Sequence, residues 1–382
     1  MGMISRIALI AAAGLLLGAA TAPARAADLG GGCCADLEER VAELEATTAR
    51  KGNRVVTLQI YGDVTKGLLI WDNGDNSDTY VVDNDALGSV VGFKGEATMK
   101  PGLKAGFKVE LQVQDAASST VTEVSDDPAD NLSIRHSYVY IESERFGRFT
   151  IGQQSTASDG AAEVTLANTL ITSSVDHGSS IRIGGSGTAV LSDFASDFDG
   201  VRDDLVRYDS PSIYGFIVSA AWGDDDYYDV ALRFAKEWNS VKIAAAVAYA
   251  NSSPDQLVGA DFDQVIGSIA VMHVPTGLFA SFSAGEREFE DGDDASFWYV
   301  QGGIEKKWLS YGTTTFFGEY GIYSDLASEG SEAEKIGLGA VQHFDSAAVD
   351  IYANATFWSF EQDGPGELED LTTVMIGSRI QF

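Results

Sequence analysis

The sequence is poor in cysteine, proline and basic residues. Its 382 residues include 2 cysteines and 7 prolines, and 25 lysines and arginines stand against 57 aspartates and glutamates. We do not expect such an acidic chain to bind nucleic acid, because phosphate contacts require clustered basic side chains. Beyond residue 26 there is also no apolar run of the ~20 residues that a transmembrane helix needs. The sequence therefore predicts no membrane-spanning helix.

The two cysteines, Cys33 and Cys34, are adjacent. Neighbouring Cα atoms lie ~3.8 Å apart, below the usual minimum of ~4.4 Å for a relaxed disulfide. No further ligands stand at the spacing of a zinc site. We therefore expect free thiols or bridges between chains.

The first 26 residues have the pattern of an export signal. Arg6 supplies a positive charge, residues 7–20 are apolar and uncharged, and Ala24-Arg25-Ala26 has the small-x-small form of a cleavage site. The apolar stretch is shorter than the ~20 residues of a membrane anchor. Loss of Arg6 and Arg25 with the signal changes the formal charge from −32 to −34.

Residues 27–54 form a short helical preface. Leu37, Val41 and Leu44 fall at i, i+4 and i+7 among glutamates, and Gly52 ends the pattern. The apolar stripe covers about one and a half heptads, which is too short for a stable isolated coiled coil. Two interpretations stay open: a helix that packs on the periplasmic side of the following domain, or a small bundle among protomers.

From Val55 to Phe382 the pattern is β throughout. Apolar residues alternate with polar or small ones in segments of about ten residues, and the terminal strand is the clearest case. In a soluble sandwich the apolar faces would meet inside, whereas in a membrane barrel they face lipid. Short turns alternate with longer acidic connections, such as Asp72 to Asp85, and this favours the barrel. The segments predict an all-β, 16-stranded antiparallel transmembrane β-barrel over residues 55–382.

One connection, residues 153–200, is far longer than the others. It is rich in carboxylates, including Asp159 and Glu163. Structureless connections of this length are usually functional. The segment is either a solvated external loop or an inward-folded constriction loop that narrows the lumen and sorts solutes by charge.

Asp72, Asp75 and Asp78 stand close together in the first long connection. Closely spaced carboxylates suit a hard cation such as Ca²⁺. The segment lacks the later glutamate of an EF-hand loop, so a hydrated surface loop is the alternative to a structural calcium site. Beyond this calcium, no cofactor is expected.

Several motifs, taken in order, resemble those of one family. They are Val91–Ala97 (VGFKGEA), Gly106–Glu110 (GFKVE), Ile134–Ile141 (IRHSYVYI), Phe146–Gln153 (FGRFTIGQ) and Val206–Pro211 (VRYDSP). Together with a terminal Phe382 on an alternating strand, they resemble Gram-negative general porins. The preface Ala35–Ala46 is similar to that of the alphaproteobacterial porin branch.

The resemblance implies a trimer of sixteen-stranded barrels whose third loop folds into the pore. It places Arg135 among the arginines of the barrel wall, with Arg202 as a second and Arg207 as the rival for that position. Asp159 and Glu163 fall where loop carboxylates face these arginines.

Two positions depart from the family pattern. Asp63 stands where a basic wall residue is expected, and Val90 stands where a constriction arginine is expected. The basic side of the constriction therefore has fewer cations than the family pattern implies, and the chain as a whole is acidic. Together these two features predict weak cation selectivity.

The sequence thus predicts a passive diffusion channel for small hydrophilic solutes, whose partners are outer-membrane lipid, lipopolysaccharide and further copies of the chain. Alternatives are a substrate-preferring channel, a calcium-binding barrel and a barrel that tethers the envelope. No nucleophile elbow of the Gly-x-Ser-x-Gly type supports an enzyme.

Overall fold

The computed structural model describes residues 55–382, except 127–130, 174, 176, 224–225, 253–260, 290–291 and 363–367. The expected signal, residues 1–26, lies outside the described residues. So does the expected helical preface, residues 27–54, with Cys33 and Cys34. The described part has no helix long and apolar enough to cross a membrane.

Seventeen strands, one α-helical turn and one 3₁₀ turn make up the described fold. The strands are β1 (Gln59–Asp72), β2 (Ser77–Asp83), β3 (Val90–Lys100), β4 (Leu103–Gln114), β5 (Asn131–Ser143), β6 (Gly147–Ser155), β7 (Arg202–Asp209), β8 (Phe216–Gly223), β9 (Tyr228–Trp238), β10 (Val241–Ser252), β11 (Phe262–His273), β12 (Leu278–Phe289), β13 (Ala295–Leu309), β14 (Gly312–Ser324), β15 (Glu332–Phe344), β16 (Val349–Glu361) and β17 (Leu371–Gln381). A single α-helical turn, α1 (Leu191–Phe194), lies in the longest connection, and a 3₁₀ turn covers Asp85–Leu87.

The seventeen strands close into a barrel of sixteen. Apart from β2 and β3, consecutive strands pair antiparallel with one another, and β17 returns to pair with β1. β2 and β3 both pair with β1, at its two ends, so they are halves of one barrel strand that is interrupted at residues 84–89. Closure leaves no unpaired sheet edge, which a spanning structure in lipid requires. The predicted sixteen-stranded barrel is confirmed.

The two ends of the barrel differ in their connections. One end has short turns, such as residues 101–102 and 239–240, and the other carries the longer loops. The first long connection was predicted to run from Asp72 to Asp85, and this is wrong in detail. The chain turns within residues 73–76 and re-enters the wall as β2. The side chains of Tyr80 and Val82 point inward and the one between them points outward, so this segment fits the alternation of a wall strand.

Alternating side chains cover the two faces of the wall. On the outer face Leu68, Val139 and Ile351 are among the apolar residues that are 44–56% exposed. On the inner face Thr65 and Gln301 are buried in the barrel. This outward apolar surface is the one that lipid covers in a membrane barrel.

The connection between β6 and β7 folds into the barrel. It covers residues 156–201, because β6 extends to Ser155 and β7 begins at Arg202. Its apolar residues Ile171, Ile181 and Phe194 are at most 1% exposed and pack against wall residues such as Trp358. The predicted inward-folded loop is thereby confirmed, and an external solvated loop is excluded.

Candidate functional site

Residues 156–201, hereafter the constriction loop, are hydrogen-bonded to the wall at many points. The Ser158 amide donates to Asp229 on β9, and Ser268 on β11 donates to the Ala161 carbonyl at 2.6 Å. Asn168 reaches Asp350 on β16 at 2.8 Å. Because these strands lie far apart around the barrel, the loop spans the lumen and must narrow it.

The middle of the constriction loop contacts the wall at the interruption between β2 and β3. The Asn84 side chain is fully buried and donates to the Ile171 carbonyl at 2.8 Å. Its oxygen lies 2.9 Å from His177 Nε2. A regular strand here would put residue 84 into ladder pairing, so the break in the wall is what frees Asn84 to hold the loop.

A β-bulge places Arg135 in the lumen. The register of β4 and β5 pairs Glu110 with His136 and then Leu111 with Ile134, which leaves Arg135 as the extra residue. Bulges turn a side chain away from strict alternation. Arg135 and His136 therefore both point inward, while Ile134 stays on the exposed outer face.

A buried carboxylate, Glu110, organises the basic wall. The Tyr61 hydroxyl donates to Glu110 at 2.7 Å, and Lys108 Nζ lies 3.0 Å from the same carboxylate. Arg135 Nε lies 3.3 Å away and its Nη1 donates to Gln112. A carboxylate that is 5% exposed needs such partners, and in turn it fixes Lys108 and Arg135 in place.

The structure separates the roles of the two rival arginines. Arg202 opens β7 and lies 3.8 Å from Asp159 of the constriction loop. Arg207 instead forms a bidentate pair with Asp209 and donates to the Ser155 and Thr156 carbonyls, at 3.1 and 2.7 Å. Arg202 thus lies between wall and loop, whereas Arg207 anchors the base of the loop.

The two predicted loop carboxylates, Asp159 and Glu163, lie at different places in the lumen. Asp159 interacts electrostatically with Arg135 as well as with Arg202. Glu163 is exposed, and it lines a cavity of about 70 Å³ with Ser283 and Gln301 of the opposite wall. The structure therefore brings Asp159, Arg135 and Arg202 together, and it places Glu163 farther along the loop.

The two departures from the family pattern lie side by side on the inner face, where Asp63 and Val90 are register partners. Asp63 accepts a 2.8 Å charged hydrogen bond from Arg379 of β17. A cation therefore does stand at this point of the wall, and it comes from the last strand. The signal for it was available, since Arg379 falls on the polar face of the clearest alternating segment.

Asp72, Asp75 and Asp78 do not converge on one point. Their carboxylates accept hydrogen bonds from three different amides, those of Gly74, Gly185 and Thr79. Within the described residues no group of three potential ligands is placed to hold a metal ion. The geometry gives no support to the calcium site.

Asp199, next to Asp197, holds the two ends of the constriction loop together. Asp199 accepts hydrogen bonds from the Gly160 and Ala162 amides, and its own amide donates to Asp197. Burial between loop and wall and the charge of Asp197 raise the pKa of Asp199 to about 8. Burial also raises the pKa of Asp197.

The raised pKa of Asp199 predicts a pH-dependent loop. The protonated carboxyl is favoured in the folded loop, so the stability it contributes is full at pH values below its unfolded pKa of ~4 and is lost as pH rises through about 8. We expect hydrogen exchange of the Gly160 and Ala162 amides, corrected for intrinsic rates, to accelerate between pH 5 and 9. Asp199→Asn should flatten this trend. Asp193→Asn, which changes an exposed side chain of the turn α1, is the control, and an equal effect of both variants would contradict the assignment.

Comparisons with known proteins agree on one family. A family model described as Gram-negative porin matches residues 8–363. Among solved structures, an anion-selective porin from Comamonas acidovorans matches with a TM-score of 0.62 and 18% identity, over 86% of this chain and 100% of that one. A search of curated proteins gave no match.

Two further solved structures have the same fold. The trimer form of OmpT, an outer membrane protein of Vibrio cholerae, matches with a TM-score of 0.57 and 15% identity, over 86% of this chain and 100% of that one. Salmonella typhi OmpF, in complex with daunomycin, matches with a TM-score of 0.56 and 14% identity, over 87% and 99%. Because the sequence identities are below 20%, these matches show that the fold is shared and nothing further.

Proposed function

Since the chain belongs to the Gram-negative porin family, we propose that it forms a passive, water-filled diffusion channel for small hydrophilic solutes and ions. The protein is an outer-membrane β-barrel, and its family and fold indicate a channel rather than an enzyme. The observation that carries the proposal is the constriction loop, which crosses the lumen of a closed sixteen-stranded barrel and faces a basic wall. A barrel of this size leaves an aqueous channel unless it is plugged.

Single-channel recording tests the proposal. The refolded protein in a planar bilayer should give stepwise openings whose current is proportional to voltage. A bilayer that stays silent although the protein is folded and inserted would contradict a diffusion channel.

We also propose weak cation selectivity. Around the constriction the cations Lys108, Arg135 and Arg202 are nearly balanced by Glu110 and Asp159. The chain as a whole has a large acidic excess, with a formal net charge of −32. A negative potential at the pore entrances concentrates cations there. Reversal potentials in a salt gradient decide the matter, because an anion preference like that of the Comamonas porin would overturn this part of the proposal.

A homotrimer is the third element of the proposal. Lys66 lies on the outer face between the exposed Val64 and Leu68, and its Nζ is 2.9 Å from Asp83 and 2.5 Å from Asp115. Charged side chains on a lipid face cost roughly 2–4 kcal/mol near the bilayer midplane. A second copy of the chain would cover this ionic cluster, and a trimer form of a fold neighbour is known. Lipid and lipopolysaccharide would contact the remaining outer surface.

Charge reversal at Lys66 is expected to weaken the trimer. In Lys66→Glu three carboxylates would meet at the covered face, so we expect light scattering in detergent to show a shift from trimers towards monomers. Lys66→Arg keeps the charge and should keep the trimer. Lys236→Glu, on the outer face of β9 at the short-turn end, is the matched control. Unchanged trimers in Lys66→Glu would place the interface elsewhere on the barrel.

A further inference from the structure

A basic and aromatic recess lies in the barrel wall on the short-turn side of the constriction, and its basic side chains point towards the lumen. It has a volume of about 410 Å³. Its lining includes Lys94, Lys108, Tyr138, Tyr140 and Arg148. These residues come from β3, β4, β5 and β6, at positions closer to the short turns than Glu110 and Arg135 are. We call these five residues, with the space that they enclose, the lower recess.

Two glycines let tyrosine rings lie flat beside the recess. A side chain at Gly92 would occupy the place of the Tyr61 ring, and one at Gly106 would occupy the place of the Tyr140 ring. Each glycine begins a Gly-Phe-Lys triplet, in which the phenylalanine points outward and the lysine, Lys94 or Lys108, points inward. The repeated triplet therefore builds an aromatic wall with adjacent ammonium groups.

The cations of the recess are only partly neutralised. Lys94 is exposed, and its Nζ lies 5.1 Å from the centre of the Tyr61 ring. The Arg148 guanidinium lies over the Tyr140 ring at 3.8 Å. Neither Lys94 nor Arg148 forms an ion pair with any residue that the structure describes.

Three carboxylates lie in or beside the recess and have cationic partners, and a fourth, Glu142, is the register partner of Arg148 without forming an ion pair with it among the described residues. Glu96 pairs with Lys104 at 3.0 Å, and Asp209 pairs with Arg207. Glu110 is shared between Lys108 and Arg135. The recess thus keeps a local positive charge although the chain as a whole is acidic.

We propose that the lower recess is a binding site for small aromatic carboxylates. The planar guanidinium of Arg148 matches a carboxylate edge, and Lys94 supplies a second positive charge. The ring of the solute would lie against the Tyr138 ring, whose centre is 5.6 Å from the Arg148 guanidinium, since aromatic rings pack against both groups. A recess of this size is within the ~300–1,000 Å³ range of small-molecule sites. As a solute site inside a diffusion channel, it rests on the proposed function.

Binding of 4-fluorobenzoate to the folded protein in detergent, followed by ¹⁹F NMR, tests the site directly. We expect Lys94→Gln and Arg148→Gln each to raise the dissociation constant by about three- to tenfold, the effect of losing one charged hydrogen bond. Lys242→Gln removes a lumen-side lysine of β10 outside the recess and should leave the constant unchanged. Circular dichroism confirms folding, and if Arg148→Gln does not fold, the exposed Lys94 still provides the test.

Failure of the proposed binding site and failure of the proposed diffusion channel would give different results. Equal dissociation constants in wild type, Lys94→Gln and Arg148→Gln would overturn the site even if the channel conducts. Acetate binding as tightly as 4-fluorobenzoate would overturn the aromatic part of the proposal. Binding that depends on Lys94 in a protein that does not conduct would support the site and contradict the diffusion channel instead.

Discussion

Removal of the constriction loop is expected to raise the single-channel conductance roughly two- to threefold, because the wall of a sixteen-stranded barrel encloses a wider aqueous lumen than the loop leaves open. Residues 162–197 would be replaced by two glycines. The Gly160 amide donates to Asp199 at 2.7 Å, so a short linker can join the two ends. The deletion keeps both Asp159 and Arg202, so the size of the pore changes while this ion pair stays.

The deletion should also change which solutes pass. Neutral sugars too large for the native constriction should enter liposomes that contain the deletion variant, as liposome swelling would show. Replacement of residues 328–330, in the connection between β14 and β15, by two glycines is the control, because it keeps Leu326 and Ala327, which border the constriction loop. An unchanged conductance in the loop deletion would mean that the narrowest part of the pore lies elsewhere.

The alternation of side chains made the barrel predictable from the amino-acid sequence. A period of two with an apolar face fixes which residues face outward, and alternating short and long connections fix the direction of the strands. The interruption at residues 84–89 was not predictable, because it depends on a tertiary contact. Asn84 leaves the ladder to hold Ile171 and His177, which are 87 and 93 residues away.

The constriction was predictable in part. Family resemblance singled out Arg135, and the adjacent polar pair in Arg135-His136 was the local sign of a bulge. Two parts were missed, Lys108 and Arg379, and of these only Arg379 depends on register across strands. Lys108 reaches Glu110 along its own strand, and Arg379 reaches Asp63 only because β17 closes the barrel on β1. A local sequence pattern does not show which residues of the first and last strands lie opposite each other when the barrel closes.

The basic wall and the loop carboxylate should have opposite effects on ion selectivity. In the double variant Arg135→Gln/Arg202→Gln we expect the cation-to-anion permeability ratio to rise about fivefold, since a unit charge ~4 Å away contributes roughly 1 kcal/mol even in water. Glutamine keeps a donor towards Glu110 and Gln112, which limits the effect on folding. Asp159→Asn should lower the ratio, because it leaves Arg202 without its 3.8 Å partner.

Salt concentration distinguishes this electrostatic mechanism from a change in pore shape. Charges are screened over ~10 Å at 0.1 M salt and over ~3 Å at 1 M. Reversal potentials of wild type and the double variant should therefore differ strongly at 0.1 M and converge at 1 M. Lys242→Gln, which removes a charge from the lumen of β10 without touching the constriction, should follow the wild type throughout. A difference that persists at 1 M would mean that the arginines act by shaping the pore, and the wall charge would then not be what sorts the ions.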